Sequence, residues 1–385
     1  MSANPRLERL RGTEVSIWLD TLSRTLLDSG ELARLIRDYG VTGATSNPTI
    51  FATAITSSCL YDDQLRALAQ AGTRDPRELF FAVALDDVRE AARLLRPTYD
   101  ESDGLDGFVS FECTPDLADD ADETIAQATD LWQRLGVPNV MIKVPATTAG
   151  LVAIEELTRI GVNVNVTLLF SVERYEQVVD AYLRGLAERA KDDHPLEGIR
   201  SAASLFLSRI DTDVDDRLPA GSRLCGQVAV ACARVAYKLY QSKFTGLRWE
   251  RLADLGAHPQ RPLWASTGTE NPAYSDVLYV AELAHPDVIN TMPEQTLRAF
   301  ADHGEVEQTL DRSRASAERT LTDAVAAGIE LPAMAARLER DGVRSFCDSY
   351  RQLLDCVQEK ALSSRRESES KSTAQPRAHQ REFAQ

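Results

Sequence analysis

The sequence predicts an α/β chain folded as a (β/α)8 TIM barrel with extra C-terminal helices. Two observations carry this. Eight short β-like runs recur, and amphipathic helical patterns separate them, the alternation that builds a parallel barrel. A doubly wound sheet alternates in the same way, but it commonly carries a Gly-rich phosphate turn after its first strand. Here the first run ends in Leu19-Asp20-Thr21, with no GxGxxG.

The runs are VSIWLDT (15–21), VTGATSNP (41–48), GFVSFEC (107–113), NVMIKVP (139–145), NVNVTLLF (163–170), RSAASLF (200–206), PLWAST (262–267) and DVINTMP (287–293). Between them, TIAQATDLWQRLG (124–136) sets Ile125, Ala128, Leu131, Trp132 and Leu135 at helical spacing and stops at a glycine. GLVAIEELTRIG (150–161) also stops at a glycine, and VERYEQVVDAYLRGLAERA (172–190) is a third helical stretch. Two more, near 305–327 and 331–360, are expected to pack on the barrel exterior or to cover one end. We expect residues 1–360 to form one domain. Residues 361–385 have almost no core-forming side chains and are expected to be a disordered tail.

Composition excludes several functions. Of 385 residues, Lys and Arg make 43 and Asp and Glu 59, a net charge of −16. That balance argues against nonspecific nucleic-acid binding and against docking on anionic membrane. It also means that an anionic substrate needs a local cationic pocket. No apolar run approaches the roughly 20 residues of a membrane span, and nothing near the N-terminus reads as a signal peptide. Cys59, Cys113, Cys225, Cys232, Cys347 and Cys356 form no CxxC pair, which points to free thiols in a reducing cytoplasm. His194, His258, His285, His303 and His379 are scattered and make no HExxH, so no metal is expected. There is no GxSxG turn either. A homo-oligomer stays open.

In a barrel strand alternate side chains point inward, and active sites sit at the C-terminal strand ends. Taken by parity, the runs bring polar residues together where branched apolar ones are the rule. Ser16, Trp18 and Asp20 share a face of the first run, Thr45 and Asn47 of the second, and Ser110 and Glu112 of the third. Lys143 shares parity with Met141 in the fourth. Asn163, Asn165 and Thr167 form a stripe on the fifth. Ser204 and Phe206 share a face of the sixth, with Arg209 just beyond, and Ser266 ends the seventh.

Each residue also has a structural reading. Lys143 can snorkel or pair with a carboxylate such as Glu112. Asp20 can cap the next helix, and Asn47-Pro48 can simply start a turn. Ser204 and Ser266 can be satisfied hydroxyls, Phe206 can be core, and Arg209 can pair with Asp211 or Asp213. Their co-occurrence at successive strand ends favours a site. A neutral amine in a poorly solvated pocket attacks a carbonyl to give a Schiff base, an electron sink that lets the neighbouring carbon–carbon bond break. Asp20 suits the base for that cleavage, and Glu112, with a water held by Thr167, suits proton shuttling. Asn47, Asn165, Ser204 and Ser266 suit sugar hydroxyls, and Arg209 suits a phosphate.

These residues resemble the transaldolase family, in its longer bacterial type. The matching segments are WLDTLSR (18–24), GVTGATSNPTIF (40–51), Glu112 and Pro115 in VSFECTP, VMIKVPAT (140–147), GVNVNVTLLFS (161–171), ASLFLSRID (203–211), WASTGTENPAYSDVLYV (264–280) and NTMPEQTL (290–297). The resemblance implies transfer of a dihydroxyacetone unit between sugar phosphates in the pentose phosphate pathway, without cofactor. Donors would be sedoheptulose 7-phosphate or fructose 6-phosphate. It implies Lys143 as the Schiff-base lysine, Asp20 as the cleavage base, Glu112 as the proton shuttle and Thr167 as the water-positioning residue. It further implies substrate binding by Asn47, Asn165, Ser204, Phe206, Arg209 and Ser266. The sequence departs from the family at one place. Gly268 stands where the shorter branch has a phosphate-binding Arg, and Glu270 stands where the longer branch is expected to have a Lys. Lys243 and Arg248 are the candidate substitutes. Two alternatives therefore stay open: a related enzyme of specialised sugar metabolism with an altered substrate, and a catalytically inactive homologue.

Overall fold

A computed structural model describes residues 4–219, 221–306 and 314–373, with side chains described as far as Leu362. Eight parallel strands close into a barrel in chain order. They are β1 (Ser16–Leu19), β2 (Gly43–Thr45), β3 (Val109–Glu112), β4 (Val140–Pro145), β5 (Val164–Leu169), β6 (Ser201–Phe206), β7 (Gln260–Ala265) and β8 (Ile289–Met292). All eight expected runs form strands. The seventh begins earlier than its apolar core suggests, because Gln260 and Arg261 already pair with Ser201 and Ala202. It ends at Ala265, so Ser266 lies just past the strand rather than closing it.

Outward-facing residues such as Ile142, Val144, Val164, Val166 and Trp264 are buried beneath the surrounding helices. Burial of this apolar surface supplies most of the driving force for the fold. Inward, Trp18 fills the lower barrel and donates its Nε1–H to Asp106 at 2.8 Å. A Cβ at Gly43 would overlap the Trp18 indole, so the neighbouring strand needs a glycine there.

Helices that follow the strands start on side-chain caps placed right behind the mouth. Ser23 caps Arg24–Asp28, Asn47 caps Pro48–Thr56, Thr147 caps Thr148–Ile160 and Ser171 caps Val172–Lys191. Among the described residues, no helix is long and apolar enough to cross a membrane. All six cysteines are free thiols.

Of the two expected C-terminal helices, the first is Arg314–Ala326, and residues 307–313 of that stretch lie outside the described residues. The second, Leu331–Thr373, crosses the C-terminal face of the barrel and is called here the mouth helix. Its contacts trace the path. Arg337 pairs with Asp213 at 2.8 Å, and Gly342 packs beside Leu168 and Arg209. Ser349 is hydrogen-bonded to Thr49 at 2.8 Å, and Lys360 pairs with Asp62 at 2.6 Å. The helix continues past residue 360, where the sequence suggests a tail. Arg365, Arg366, Glu367, Glu369 and Lys371 in that stretch are good helix formers even without a core to face. The rest of the expected tail, 374–385, lies outside the described residues.

Candidate active site

The backbone register sets a polar layer inside the barrel. Glu112 stands opposite Lys143, and Lys143 opposite Asn165. Lys143 is only 5% exposed. Its Nζ donates to the Ser46 carbonyl at 3.0 Å and lies 3.3 Å from Glu112 Oε2. Despite that ion contact, Oε2 receives no hydrogen bond among the described residues, and neither does the buried Thr167 Oγ1. Buried polar atoms are normally satisfied, so this unused capacity suits a water or a substrate hydroxyl. Loss of water raises the Glu112 pKa above the ordinary carboxylate range; the positive charge of Lys143 opposes this, and the negative charge of Asp20 adds to it.

Asp20 is the first residue beyond β1 and is partly open to the mouth. Its Oδ1 accepts from Thr45 Oγ1 at 2.8 Å, and Thr45 Oγ1 lies 2.9 Å from Thr291 Oγ1. A hydroxyl has one proton, and Thr45 gives its proton to Asp20, so Thr291 must donate to Thr45. The chain therefore runs from β8 through β2 to the carboxylate. Dense surrounding protein raises the Asp20 pKa, while Lys143, Thr45 and Arg209 pull it back. Asp20 caps no helix; Ser23 does that. Two carboxyl groups with raised pKa, coupled to one buried amine, can exchange protons with it and with a bound carbonyl compound.

Within this layer, Asn165 Nδ2 donates to Ser110 Oγ at 2.9 Å and its Oδ1 accepts from Ser204 Oγ at 2.7 Å. Asn165 thus ties β3, β5 and β6 together and keeps one further N–H. Asn163, from the same expected stripe, serves the opposite end of the barrel, where its Oδ1 accepts from Arg200 N at 2.8 Å. Asn47 spends its Oδ1 on the Ile50 N–H as a helix cap and keeps its amide donors.

The distal part of the mouth is built around Arg209. Its guanidinium sits between two rings, 5.3 Å from Phe206 and 5.8 Å from Phe346 of the mouth helix. It makes no hydrogen bond or ion pair among the described residues. The carboxylates considered as partners are engaged elsewhere. Asp211 accepts from Ala229 N at 2.8 Å and from Tyr279 OH at 2.9 Å, and Asp213 pairs with Arg217 and Arg337. Burial lowers the Arg209 pKa, and Glu270, Asp20 and Glu112 raise it in turn. Ser266 has φ 55°, a left-handed conformation that costs energy outside glycine and turns the chain sharply at the strand end. Its Oγ lies 2.8 Å from Ser208 Oγ.

Lys243 and Arg248 do not reach this region. Lys243 ends the helix Val228–Lys243, which runs back toward the strand N-termini, and pairs with Asp180 at 3.0 Å. Arg248 follows in Leu247–Ala253, just before β7 begins. A cavity of about 230 Å³, lined in part by Ser16, Trp18, Met141, Arg200 and Arg261, also lies at that far end and contains none of the candidate residues.

Several participants escape sequence reasoning. The Ser46 carbonyl is backbone and leaves no signal. Phe346 comes from a helix far along the chain. Thr291 was legible only by its inward parity, and Ser208 by its place between Phe206 and Arg209.

Comparison with known proteins agrees with the geometry. The profile of the Transaldolase/Fructose-6-phosphate aldolase family matches residues 17–357. A transaldolase of Saccharopolyspora erythraea is 48% identical over 363 residues, covering 93% of this chain and 98% of that protein. One of Mycolicibacterium smegmatis is 48% identical over 364 residues, covering 93% and 98%. One of Thermobifida fusca is 46% identical over 357 residues, covering 91% and 97%. With all eight strands and the buried Lys143–Glu112 pair inside the matched region, the chain belongs to the transaldolase/fructose-6-phosphate aldolase family.

Proposed function

We propose that the protein is a transaldolase that moves a dihydroxyacetone unit from a ketose phosphate to an aldose phosphate through a Schiff base on Lys143. The observation that carries this reading is the buried Lys143 amine, 3.3 Å from Glu112 and electrostatically coupled to Asp20, at the C-terminal strand ends of a closed barrel. The pathway reading is the pentose phosphate pathway, with sedoheptulose 7-phosphate or fructose 6-phosphate as donor. We also infer a cytoplasmic setting, in keeping with the free thiols, and the same reading is compatible with a homo-oligomer.

The chemistry follows from the positions. Unprotonated Lys143 Nζ attacks the ketose C2 carbonyl and forms a carbinolamine. Glu112, with a water bridged to Thr167 Oγ1, gives the proton with which the C2 hydroxyl leaves as water, and an iminium remains. Asp20 takes the proton of the C4 hydroxyl. The C3–C4 bond breaks, its electron pair enters the iminium as an enamine, and the aldose leaves. In the second half the enamine carbon attacks the acceptor aldehyde and Asp20 returns its proton to the new hydroxyl. Hydrolysis of the iminium then frees the new ketose and Lys143. Asn47, Asn165, Ser204 and Ser266 orient sugar hydroxyls, Phe206 bounds the pocket, and Arg209 holds the phosphate.

Borohydride reduction during incubation with fructose 6-phosphate tests the reading. Mass spectrometry should find a reduced sugar adduct on the peptide that contains Lys143. A folded protein with no adduct there would refute it.

A further inference from the structure

The distal pocket holds a carboxylate that the chemistry above does not use. Glu270 lies in the loop after β7 and is exposed. Its Oε1 accepts from Ser208 Oγ at 3.3 Å and its Oε2 from Thr212 Oγ1 at 3.4 Å. Ser208 Oγ in turn contacts Ser266 Oγ at 2.8 Å. Glu270 is therefore tethered to the hydroxyl cluster that borders Arg209. Of the carboxylates that act on Arg209 it acts most strongly, ahead of Asp20 and Glu112. The neighbouring cations Arg217 and Arg337 are already committed to Asp213. A ligand that reaches the distal end thus meets one guanidinium without an ion pair among the described residues and one carboxylate whose charge acts on it.

We propose that Glu270 is a specificity-determining residue, which partly offsets Arg209 and so narrows the distal pocket's preference for acceptor ends that carry a dianionic phosphate over those that carry only a hydroxyl. This rests on the sugar-transfer reading above. A hydroxyl can donate to the Glu270 carboxylate. A phosphate dianion has no proton to donate and meets repulsion. For two negative charges several ångströms from a carboxylate in well-hydrated surroundings, the penalty is about three- to thirtyfold in affinity. Because the residue is exposed, salt should shrink it.

The test compares kcat/KM for glyceraldehyde 3-phosphate and for unphosphorylated glyceraldehyde, at saturating fructose 6-phosphate, in the wild type, Glu270→Gln and Glu270→Lys. The ratio of phosphorylated to unphosphorylated acceptor should rise roughly tenfold in Glu270→Gln and further in Glu270→Lys. Both gains should diminish in 0.5 M salt. A ratio that stays within twofold of wild type in both variants overturns the proposal. Failure of the underlying reading looks different, because the wild type would then form no borohydride-trapped adduct on Lys143 and give no ratio at all.

Discussion

Replacing Phe346 by leucine tests whether the mouth helix takes part in substrate binding or merely packs. Phe346 is 2% exposed and stands 5.8 Å from the Arg209 guanidinium, opposite Phe206. Leucine keeps most of the apolar volume but has no π face. A cation–π contact is worth about 0.5–2 kcal/mol, with the upper part of the range reached where the cation is desolvated, as Arg209 is. At about 1.4 kcal/mol per factor of ten, its loss should raise KM for fructose 6-phosphate roughly two- to thirtyfold. The inhibition constant for inorganic phosphate should rise by a similar factor. The packing defect should cost about 1–2 kcal/mol, small against the roughly 5–15 kcal/mol that holds a domain folded. Steady-state kinetics with phosphate as competitor, together with a urea melt, separates the two effects. If stability falls while KM and the phosphate constant stay within twofold, Phe346 is core packing and the clamp on Arg209 has no role in binding.

Lys143→Ala should reduce turnover on the order of 10⁴-fold or more and abolish the borohydride adduct, whereas a folded variant with most of its activity would remove Lys143 from the mechanism. Asp20→Asn should slow bond cleavage by about 10²- to 10⁴-fold while still forming the iminium. Reduction should then trap the whole six-carbon donor, and a complete absence of adducts would contradict the role of Asp20 as cleavage base. Asp211 gives a stability prediction with a definite sign. Burial pushes its pKa up to about 7, above the roughly 3.9 of the unfolded chain, so the folded state binds the proton more tightly. Its stabilising contribution is therefore present below about pH 4 and is lost as pH rises toward 7. Asp211→Asn should flatten the fall in urea midpoint across that window, and an unchanged slope would show that the carboxyl titrates normally.

Much of this architecture was legible because charge and polarity stand out against an apolar strand. Lys143 lies in VMIKVP, where every neighbour is apolar, and period-two alternation brought Glu112, Asn165 and Ser204 to its face of the barrel. The same alternation put Asn163 on one stripe with Asn165 and Thr167, but parity fixes which way a side chain points and not its height along the barrel axis. Asn163 lies one layer lower and serves the Arg200 backbone. Ser266 looked like a strand residue because local composition cannot reveal a φ of 55°. Asn47 takes its structural reading as a helix cap, and its amide stays free for the other. The tail was read from its lack of apolar residues, which speaks to tertiary packing. Helix continuation depends on backbone propensity, and the last helix outran the expected boundary to Thr373.

The charge of the chain sharpens the reading of the distal pocket. A net charge of −16 looks hostile to sugar phosphates, yet at physiological salt charges beyond about 8 Å are largely screened. Affinity for a phosphate is then decided by the few groups within one such length. Arg209 suits that demand: it lies over two aromatic rings, and among the described residues no protein acceptor consumes its N–H donors. A ligand therefore need not free any of these donors from a salt bridge with the described residues. In such a locally governed site, the nearest countercharge has more influence than the whole acidic surface. Glu270, whose charge acts on Arg209, is tethered through Ser208 to the same cluster. A charge at residue 270, where the resemblance leads one to expect a lysine, is thus proposed to alter selectivity without touching Lys143, Glu112 or Asp20.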